Sequence, residues 1–183
     1  QLLTDGWCVF TCGRDSNKLA ALKHQLPAVH TFVCDVTDRA EVRRFAAFVA
    51  AQSASVHLLI SNAGGSREVD FTSADLPTVD LSAELRSNLE GAVNFVAEFL
   101  PALRLARGAA LLVVGSGYGL APATRAPLYS ASKAGLHSFC KSLRRQLEPV
   151  QISVTELLPP VVDTPSVAHR KVAKLPAEFV AAN

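Results

Sequence analysis

The sequence of 183 residues predicts a single α/β domain, built on a doubly wound parallel sheet with helices on both faces. Short runs rich in β-branched and aromatic residues recur along the chain, and stretches with apolar residues three and four positions apart lie between them. These runs are apolar throughout, which is typical of strands buried on both faces. Because no repeat, low-complexity tract or linker interrupts the alternation, one domain is expected over 1–183.

The elements follow in a regular order. The expected strands are 7–12, 30–35, 57–61, 109–115 and 152–158. The expected helices are 17–25, 39–52, 81–105 and 129–148. Asp38 and Glu41 form a capping box before the second helix, and Pro101 should kink the third or end its regular part. Ligands of such sheets bind at the carboxyl ends of the strands, so polar residues there are the candidates for a site.

Composition excludes several classes of function. A net charge of +2 without a long basic run argues against nucleic-acid or acidic-membrane binding. The apolar runs fall short of the roughly 18 residues of a membrane helix, and no leader opens the chain. Four cysteines fit no disulfide or zinc pattern, and His137 and Cys140 have no further ligands beside them, so no metal is expected. These observations favour a soluble protein of the cytoplasm.

The stretch "LYSASKAGL" (128–136) contains two chemical patterns that share Lys133. Ser130 and Lys133 form an S-x-x-K nucleophile pattern, whereas Tyr129 and Lys133 form a Y-x-x-x-K acid/base pattern on one helix face. The first needs a K-T-G partner motif, which this sequence lacks, and "VGSGY" (114–118) lacks the glycines of a nucleophile elbow. The Y-x-x-x-K pattern is weak alone, since a Tyr and a Lys four positions apart can arise by chance.

A larger constellation decides between them. Asn88, Ser116, Tyr129 and Lys133, separated by 28, 13 and 4 positions, resemble the active-site tetrad of the short-chain dehydrogenases/reductases. "SNAG" (61–64), "CDVTD" (34–38) and "LPPVVDT" (158–164) resemble three further segments of that family, and the resemblance covers nearly the whole chain in order. It implies a Rossmann-type fold and an oxidoreductase that transfers a hydride between NADP(H) and a carbonyl or secondary alcohol.

The resemblance also implies a role for each tetrad residue. Tyr129 would be the general acid/base, and Lys133 would lower the pKa of its phenol and bind the ribose. Ser116 would hold the substrate oxygen, and Asn88 would hold a water of a proton relay. Two alternatives stay open: a non-catalytic nucleotide-binding or scaffold relative of the same fold, and a truncated, inactive product.

The cofactor contacts rest on the same resemblance. Gly13 and Arg14 stand where NAD-preferring relatives place an acid, and a guanidinium suits a 2′-phosphate, so NADP(H) is preferred and NAD(H) remains the second option. Asp15 argues mildly the other way, unless it only caps the next helix. The remaining implied contacts are Asp35, Val36, Asn62, Ala63, Gly64, Tyr129, Lys133, Pro159, Val162 and Thr164.

The sequence departs from the family at two places. Pro160 replaces the usual glycine after Pro159, which makes the approach to the nicotinamide less certain. The first strand and its glycine-rich turn are absent, and that strand would lie between the strands at 7–12 and 57–61, leaving two unpaired edges. We expect roughly 30 further residues before Gln1, and a further segment after Asn183, in the natural protein.

The expected binding partner is a small-molecule carbonyl or alcohol substrate. The family sets its substrate by the segment after Thr164, here 165–179, and residues 71–85 are expected to add a wall, but neither defines a substrate. The family pairs subunits through the two long helices, so a homodimer or homotetramer is the expectation.

Overall fold

The structure is a computed structural model, and it describes residues 1–163, 173–177 and 179. Five short strands form its sheets: β1 Phe10–Gly13, β2 His30–Val33, β3 Leu58–Ser61, β4 Ala110–Val114 and β5 Ser153–Leu157. Each lies within an expected strand or ends one residue beyond it. The largest difference is at β1, which starts three residues later than predicted.

The helices also follow the prediction. They are α1 Ser16–Gln25, α2 Arg39–Ala50, α3 Ala83–Leu85, α4 Gly91–Arg104 and α5 Pro127–Leu147, with 3-10 turns at Leu76–Thr78, Gly117–Gly119 and Glu148–Val150. One π-helical turn, Arg86–Glu90, joins α3 to α4, so the expected helix over 81–105 is continuous but irregular in the middle. Pro101 lies inside α4, which continues one turn further to Arg104.

Aspartates cap the first two long helices. Asp15 accepts a hydrogen bond from the N–H of Lys18 at 3.0 Å, so the carboxylate after Arg14 does cap α1. Asp38 caps α2 by accepting from the N–H groups of Ala40 and Glu41. The capping box is only half formed, because the Glu41 carboxylate accepts from the N–H of Asp35 at 2.7 Å, not from that of Asp38.

All strand pairs are parallel, but they form two sheets where one was expected. β1 pairs with β2, with Phe10 opposite His30, and β3, β4 and β5 form the second sheet in that order. Between β1 and β3 lies a groove of about 390 Å³, lined by Phe10 and Thr11 on one side and Leu58–Ile60 on the other. The two edges predicted to be unpaired therefore face this groove, and the parallel α/β class is confirmed.

A single apolar cluster joins the two sheets. Buried residues of α2, α4 and α5 pack on β3, β4 and β5. Phe45 of α2 is 2% exposed and contacts Phe32 of β2 as well as Phe95 and Phe99 of α4. Helix α1 packs on β1 and β2 and contributes one buried residue, Leu19, outside that cluster. In the part of the chain that the structure describes, no helix combines the length and the apolar character needed to cross a membrane.

Candidate active site

Tyr129 and Lys133 lie in the first turns of α5, which begins at Pro127. The Lys133 Nζ atom is 5.8 Å from the centre of the Tyr129 ring and donates a hydrogen bond of 2.7 Å to the carbonyl oxygen of Val114, at the end of β4. Lys133 is 5% exposed, and this burial lowers the pKa of its ammonium. A phenol and a largely desolvated cation thus share one face of α5.

Ser116 follows β4 and begins the 3-10 turn Gly117–Gly119. Its Oγ atom accepts a hydrogen bond of 3.2 Å from the N–H of Tyr118, so it caps this turn, but that bond does not use the hydroxyl proton. The Tyr118 ring packs edge-on against the Tyr129 ring, with the ring centres 6.1 Å apart. The turn that carries Ser116 is therefore held against the start of α5.

Gly119 makes this close approach possible. A Cβ atom at position 119 would lie 2.8 Å from the carbonyl oxygen of Lys133 and 3.2 Å from the backbone nitrogen of Ala134. Because the obstacle is backbone, it cannot move aside as a side chain would. The absence of a side chain at Gly119 lets the turn that carries Ser116 lie directly on the backbone of α5.

Asn88 lies in the π-helical turn before α4 and is 1% exposed. Its side chain accepts a hydrogen bond from the N–H of Gly65 and donates to the carbonyl oxygen of Gly65 and to the hydroxyl of Ser132, at 2.8–2.9 Å. Ser132 in turn donates to the carbonyl oxygen of Tyr129. The Asn88 amide thus links the loop after β3 to α5, and π-helical turns are frequent at functional sites.

Ser130, the rival nucleophile, has a local structural role. It is 3% exposed, donates a hydrogen bond to the carbonyl oxygen of Ala126 and accepts one from the N–H of Ala123. Both bonds fix the start of α5. The Ser130 hydroxyl is therefore occupied by two local hydrogen bonds.

A polar cavity of about 330 Å³ lies at the carboxyl ends of β1, β2 and β3. It brings together six of the predicted cofactor contacts: Gly13, Arg14, Asp35, Val36, Ala63 and Gly64. Asn62 instead lines the groove between β1 and β3. It also lines a smaller cavity of about 190 Å³, which Ala63 borders as well. Backbone-rich walls and a charged rim fit the phosphate and ribose groups of a dinucleotide.

Two charges at the rim face each other. The Arg14 guanidinium is 73% exposed and lies 3.7 Å from the Asp35 carboxylate. Burial alone would raise the pKa of Asp35, but hydrogen bonds from the N–H and hydroxyl of Thr37, together with Arg14, hold that pKa below its usual range. Arg14 therefore combines a local partner with a guanidinium that is open to an anion.

The segment after β5 is described only in part. Pro159 is half-buried, Pro160 is exposed, and Val162 forms a parallel bridge with Leu175. Thr164 lies outside the described residues, as does most of the expected substrate segment after it. Among the described residues, no group of three or more potential metal-ligating side chains occurs.

Sequence reasoning missed two buried acids near these residues. Glu84 is 7% exposed and lines the 330 Å³ cavity, where it accepts a hydrogen bond from the N–H of Arg67. Burial raises the pKa of Glu84, whereas that hydrogen bond and the charge of Arg67 lower it in part. Glu156 of β5 lies 2.6 Å from Nδ1 of His137. A charged residue in a strand expected to be buried on both faces was the signal that could have revealed Glu156.

The parallel α/β architecture, with a polar cavity at the carboxyl ends of its strands, defines a Rossmann-type domain. Within that class, the chain belongs to the short-chain dehydrogenase family, whose sequence profile matches residues 1–174.

Relatives of known sequence and structure agree with this membership. The chain is 37% identical over 164 residues to the oxidoreductase DltE of Bacillus subtilis, covering 90% of this chain and 65% of the relative. It is 33% identical to a fatty acyl-CoA reductase of Acinetobacter baylyi, covering 85% and 52%. The RhlG/NADP active-site complex of Pseudomonas aeruginosa superimposes with a TM-score of 0.84 at 27% identity, covering 92% and 68%. The chain thus spans less than two thirds of the length of these two curated relatives.

Proposed function

We propose that the protein is an NADP(H)-dependent oxidoreductase that interconverts a carbonyl compound and a secondary alcohol, with Tyr129 as the general acid/base. One observation carries the proposal: the buried Lys133 ammonium lies 5.8 Å from the Tyr129 ring, beside the strand end that bears Ser116. Family membership and the DltE and RhlG relatives support the redox class.

The charge of Lys133 gives the phenol its reactivity. A free tyrosine has a pKa of about 10, too high for a base near neutrality. A cation beside a phenol favours its ionised form, and the Lys133 Nζ atom lies 5.8 Å from the centre of the Tyr129 ring. The nicotinamide supplies the hydride and, when oxidised, a second positive charge. In this proposal, Lys133 is therefore the protein's own cation that assists proton transfer by Tyr129.

In carbonyl reduction, Tyr129 gives its phenolic proton to the substrate oxygen as the carbon is reduced. The Ser116 hydroxyl donates a hydrogen bond to the same oxygen and stabilises the charge that develops on it. Lys133 stabilises the phenolate that remains. Asn88 keeps α5 and the loop after β3 in place through its bonds to Ser132 and Gly65, and its part in a proton relay belongs to this proposal.

The cofactor preference rests on Arg14. Its guanidinium is exposed at the rim of the polar cavity, where it can pair with a 2′-phosphate, and the RhlG relative is described as an NADP complex. We propose that Gly13, Asp35, Val36, Asn62, Ala63 and Gly64 line the adenosine side, and that Pro159, Val162 and Thr164 lie near the nicotinamide. NAD(H) is the weaker alternative.

Assembly and location complete the proposal. We propose a homodimer or homotetramer formed through α4 and α5, because α4 leaves Val93 of its apolar stripe 38% exposed. Light scattering of the purified protein tests this assembly.

A location in the cytoplasm suits the absence of disulfides among the four free cysteines, and cell fractionation tests it.

The central experiment is Tyr129→Phe in the natural protein. We expect the rate of NADPH oxidation to fall by about 10²–10⁴-fold, because the ring remains but the transferable proton is lost. The rate is measured by NADPH absorbance with a panel of aldehydes and ketones. NADPH affinity, measured by fluorescence, should change little. Tyr118→Phe is the matched control, since it keeps the neighbouring ring. Full turnover by the Tyr129 variant, or none by the wild-type protein with any substrate, would refute the proposal.

A further inference from the structure

The environment of Glu156 points to a role beyond packing. This residue lies on β5, and its side chain is 7% exposed. One oxygen, Oε2, is 2.6 Å from Nδ1 of His137, while the other, Oε1, is buried and accepts no hydrogen bond from the described residues. With an ionised carboxylate, Nδ1 of His137 donates the hydrogen bond. A buried acid with a free oxygen requires an explanation.

Gly115 makes room for this carboxylate. A Cβ atom at position 115 would lie 2.3 Å from Oε1 of Glu156 and 2.9 Å from its Cγ atom. Gly115 follows Val114, whose carbonyl oxygen holds the Lys133 ammonium at 2.7 Å. The end of β4 therefore accommodates the acid and the cation at adjacent residues.

The helix α5 brings the partners together. Lys133, His137 and Cys140 follow one another at four and three positions, so they share a helix face. Burial lowers the pKa of Lys133, and the charge of Glu156 and the Cys140 thiol oppose this effect. Burial, and to a smaller extent the charge of Glu156, raise the pKa of Cys140 to about 11, whereas the charges of Arg144 and Lys133 lower it in part. Since Cys140 is neutral at physiological pH, Glu156 supplies the negative charge that acts on Lys133.

The other charged groups on the elements packed against α5 have partners of their own, although Glu84 also keeps one buried oxygen, Oε2, without a hydrogen bond from the described residues. Arg144 of α5 donates to the carbonyl oxygen of Val154 in β5. On the segment around Asn88, which also packs on α5, Glu84 accepts from the N–H of Arg67, and Arg86 pairs with Asp80.

We propose that Glu156, held in place by His137, is the counter-ion that keeps the buried Lys133 ammonium charged, so that this ammonium can act on the phenol of Tyr129. This inference rests on the proposed function, because it assigns Glu156 to the same reaction. Glu156 is a positioning residue that acts through Lys133. A purely structural reading, in which the pair only ties β5 to α5, predicts no effect on the titration of Lys133.

The direct test is the titration of Lys133, followed by NMR of its ¹³Cε resonance in the natural protein. The resonance is assigned by its loss in Lys133→Arg. In Glu156→Gln we expect the pKa of Lys133 to fall by about one unit, the size expected for loss of one nearby opposite charge. Glu156→Asp should restore part of the shift. Glu98→Gln is the matched control, because Glu98 is also a shielded, paired acid, bonded to Arg39 and Arg43 away from the site.

Turnover gives the second readout. The alkaline limb of the kcat profile for reduction should move to lower pH in Glu156→Gln, because Lys133 then loses its proton earlier. An unchanged Lys133 titration, an equal shift in Glu98→Gln, or a shifted titration with an unmoved kcat limb would overturn the inference. A wild-type protein without turnover would contradict the proposed function instead.

A second variant covers the case in which Glu156→Gln does not fold. Gly115→Ala keeps the charge but displaces the carboxylate, so it should also lower the pKa of Lys133. His137→Gln keeps both the charge and a hydrogen-bond donor, so it should shift that pKa less than Gly115→Ala does. The reverse order, or no change in Gly115→Ala, would contradict the role of Glu156.

Discussion

The two sheets of this protein differ in how they hold their candidate functional side chains. At the three-stranded sheet, Lys133 bonds the carbonyl oxygen at the end of β4, Ser116 bonds the backbone of the turn that follows, and Lys133 is almost fully buried. At the two-stranded sheet, Arg14 is largely exposed and meets Asp35 at 3.7 Å. Proton transfer needs fixed, desolvated groups, whereas selection of a charged nucleotide needs an accessible cation. Under the proposed function, these two demands fall on separate parts of the fold.

Side chains, and not strand hydrogen bonds, connect the two parts in the described structure. β1 and β3 do not pair, but the aromatic rings of α2, β2 and α4 are in contact across the cluster, with Phe45 at their centre. The comparison therefore predicts that side-chain packing governs the stability of the two-stranded sheet.

The largest expected effect is on stability. Phe45→Ala should lower the free energy of unfolding by about 3–5 kcal/mol, because it removes a buried ring that contacts β2 and also contacts α4, the helix that packs on β3. Phe71→Ala is the control, since Phe71 is 53% exposed and should matter by less than about 0.5 kcal/mol. Chemical denaturation measures both. Equal costs would show that the aromatic cluster does not join the sheets.

A smaller effect concerns nucleotide choice. Arg14→Ala should weaken NADPH binding by about 10- to 100-fold, the loss of roughly 1.5–3 kcal/mol typical of a charged hydrogen bond, and leave NADH binding nearly unchanged. Isothermal titration with both nucleotides measures this. Arg104→Ala, at the exposed end of α4, should affect neither. Parallel losses for NADPH and NADH would mean that Arg14 does not read the 2′-phosphate.

The smallest effect separates two acids that line the same cavity. The pKa of Asp35 is lowered in the fold, so its stabilising contribution is present above its unfolded pKa and is lost as pH falls through the folded one. The pKa of Glu84 is raised, so its charge destabilises the fold above that pKa and costs nothing below its unfolded pKa.

Asp35→Asn should therefore lower Tm at pH 7, and Glu84→Gln should raise it, each by roughly 1–3 °C. Both differences should shrink towards pH 3, and thermal melts between pH 3 and 7 follow them. Shifts of the same sign at pH 7 would show that the two acids do not differ as described.

Much of the fold was predictable because its strands are buried. Apolar runs bounded by polar residues located β2 to β5 within two residues. β1 was predicted from position 7, but Trp7 and Cys8 are exposed and lie along the groove. Strand propensity alone does not extend a ladder where no neighbouring strand offers hydrogen bonds.

The site was predictable only where spacing carried information. Tyr129 and Lys133 lie one helical turn apart, and the offsets to Ser116 and Asn88 added specificity. The π-helical turn at Arg86–Glu90 has no sequence signature of this kind. The pair of His137 and Glu156 spans 19 positions between a helix and a strand, so only their packing reveals it.

The contact of Gly119 with the backbone of α5 has a practical consequence for altering specificity. Any larger residue at position 119 would meet the backbone of Lys133 and Ala134 and displace the turn that carries Ser116, so under the proposed function Gly119 should be kept. The adjacent Leu120 is 57% exposed and offers a tolerant position for diversification.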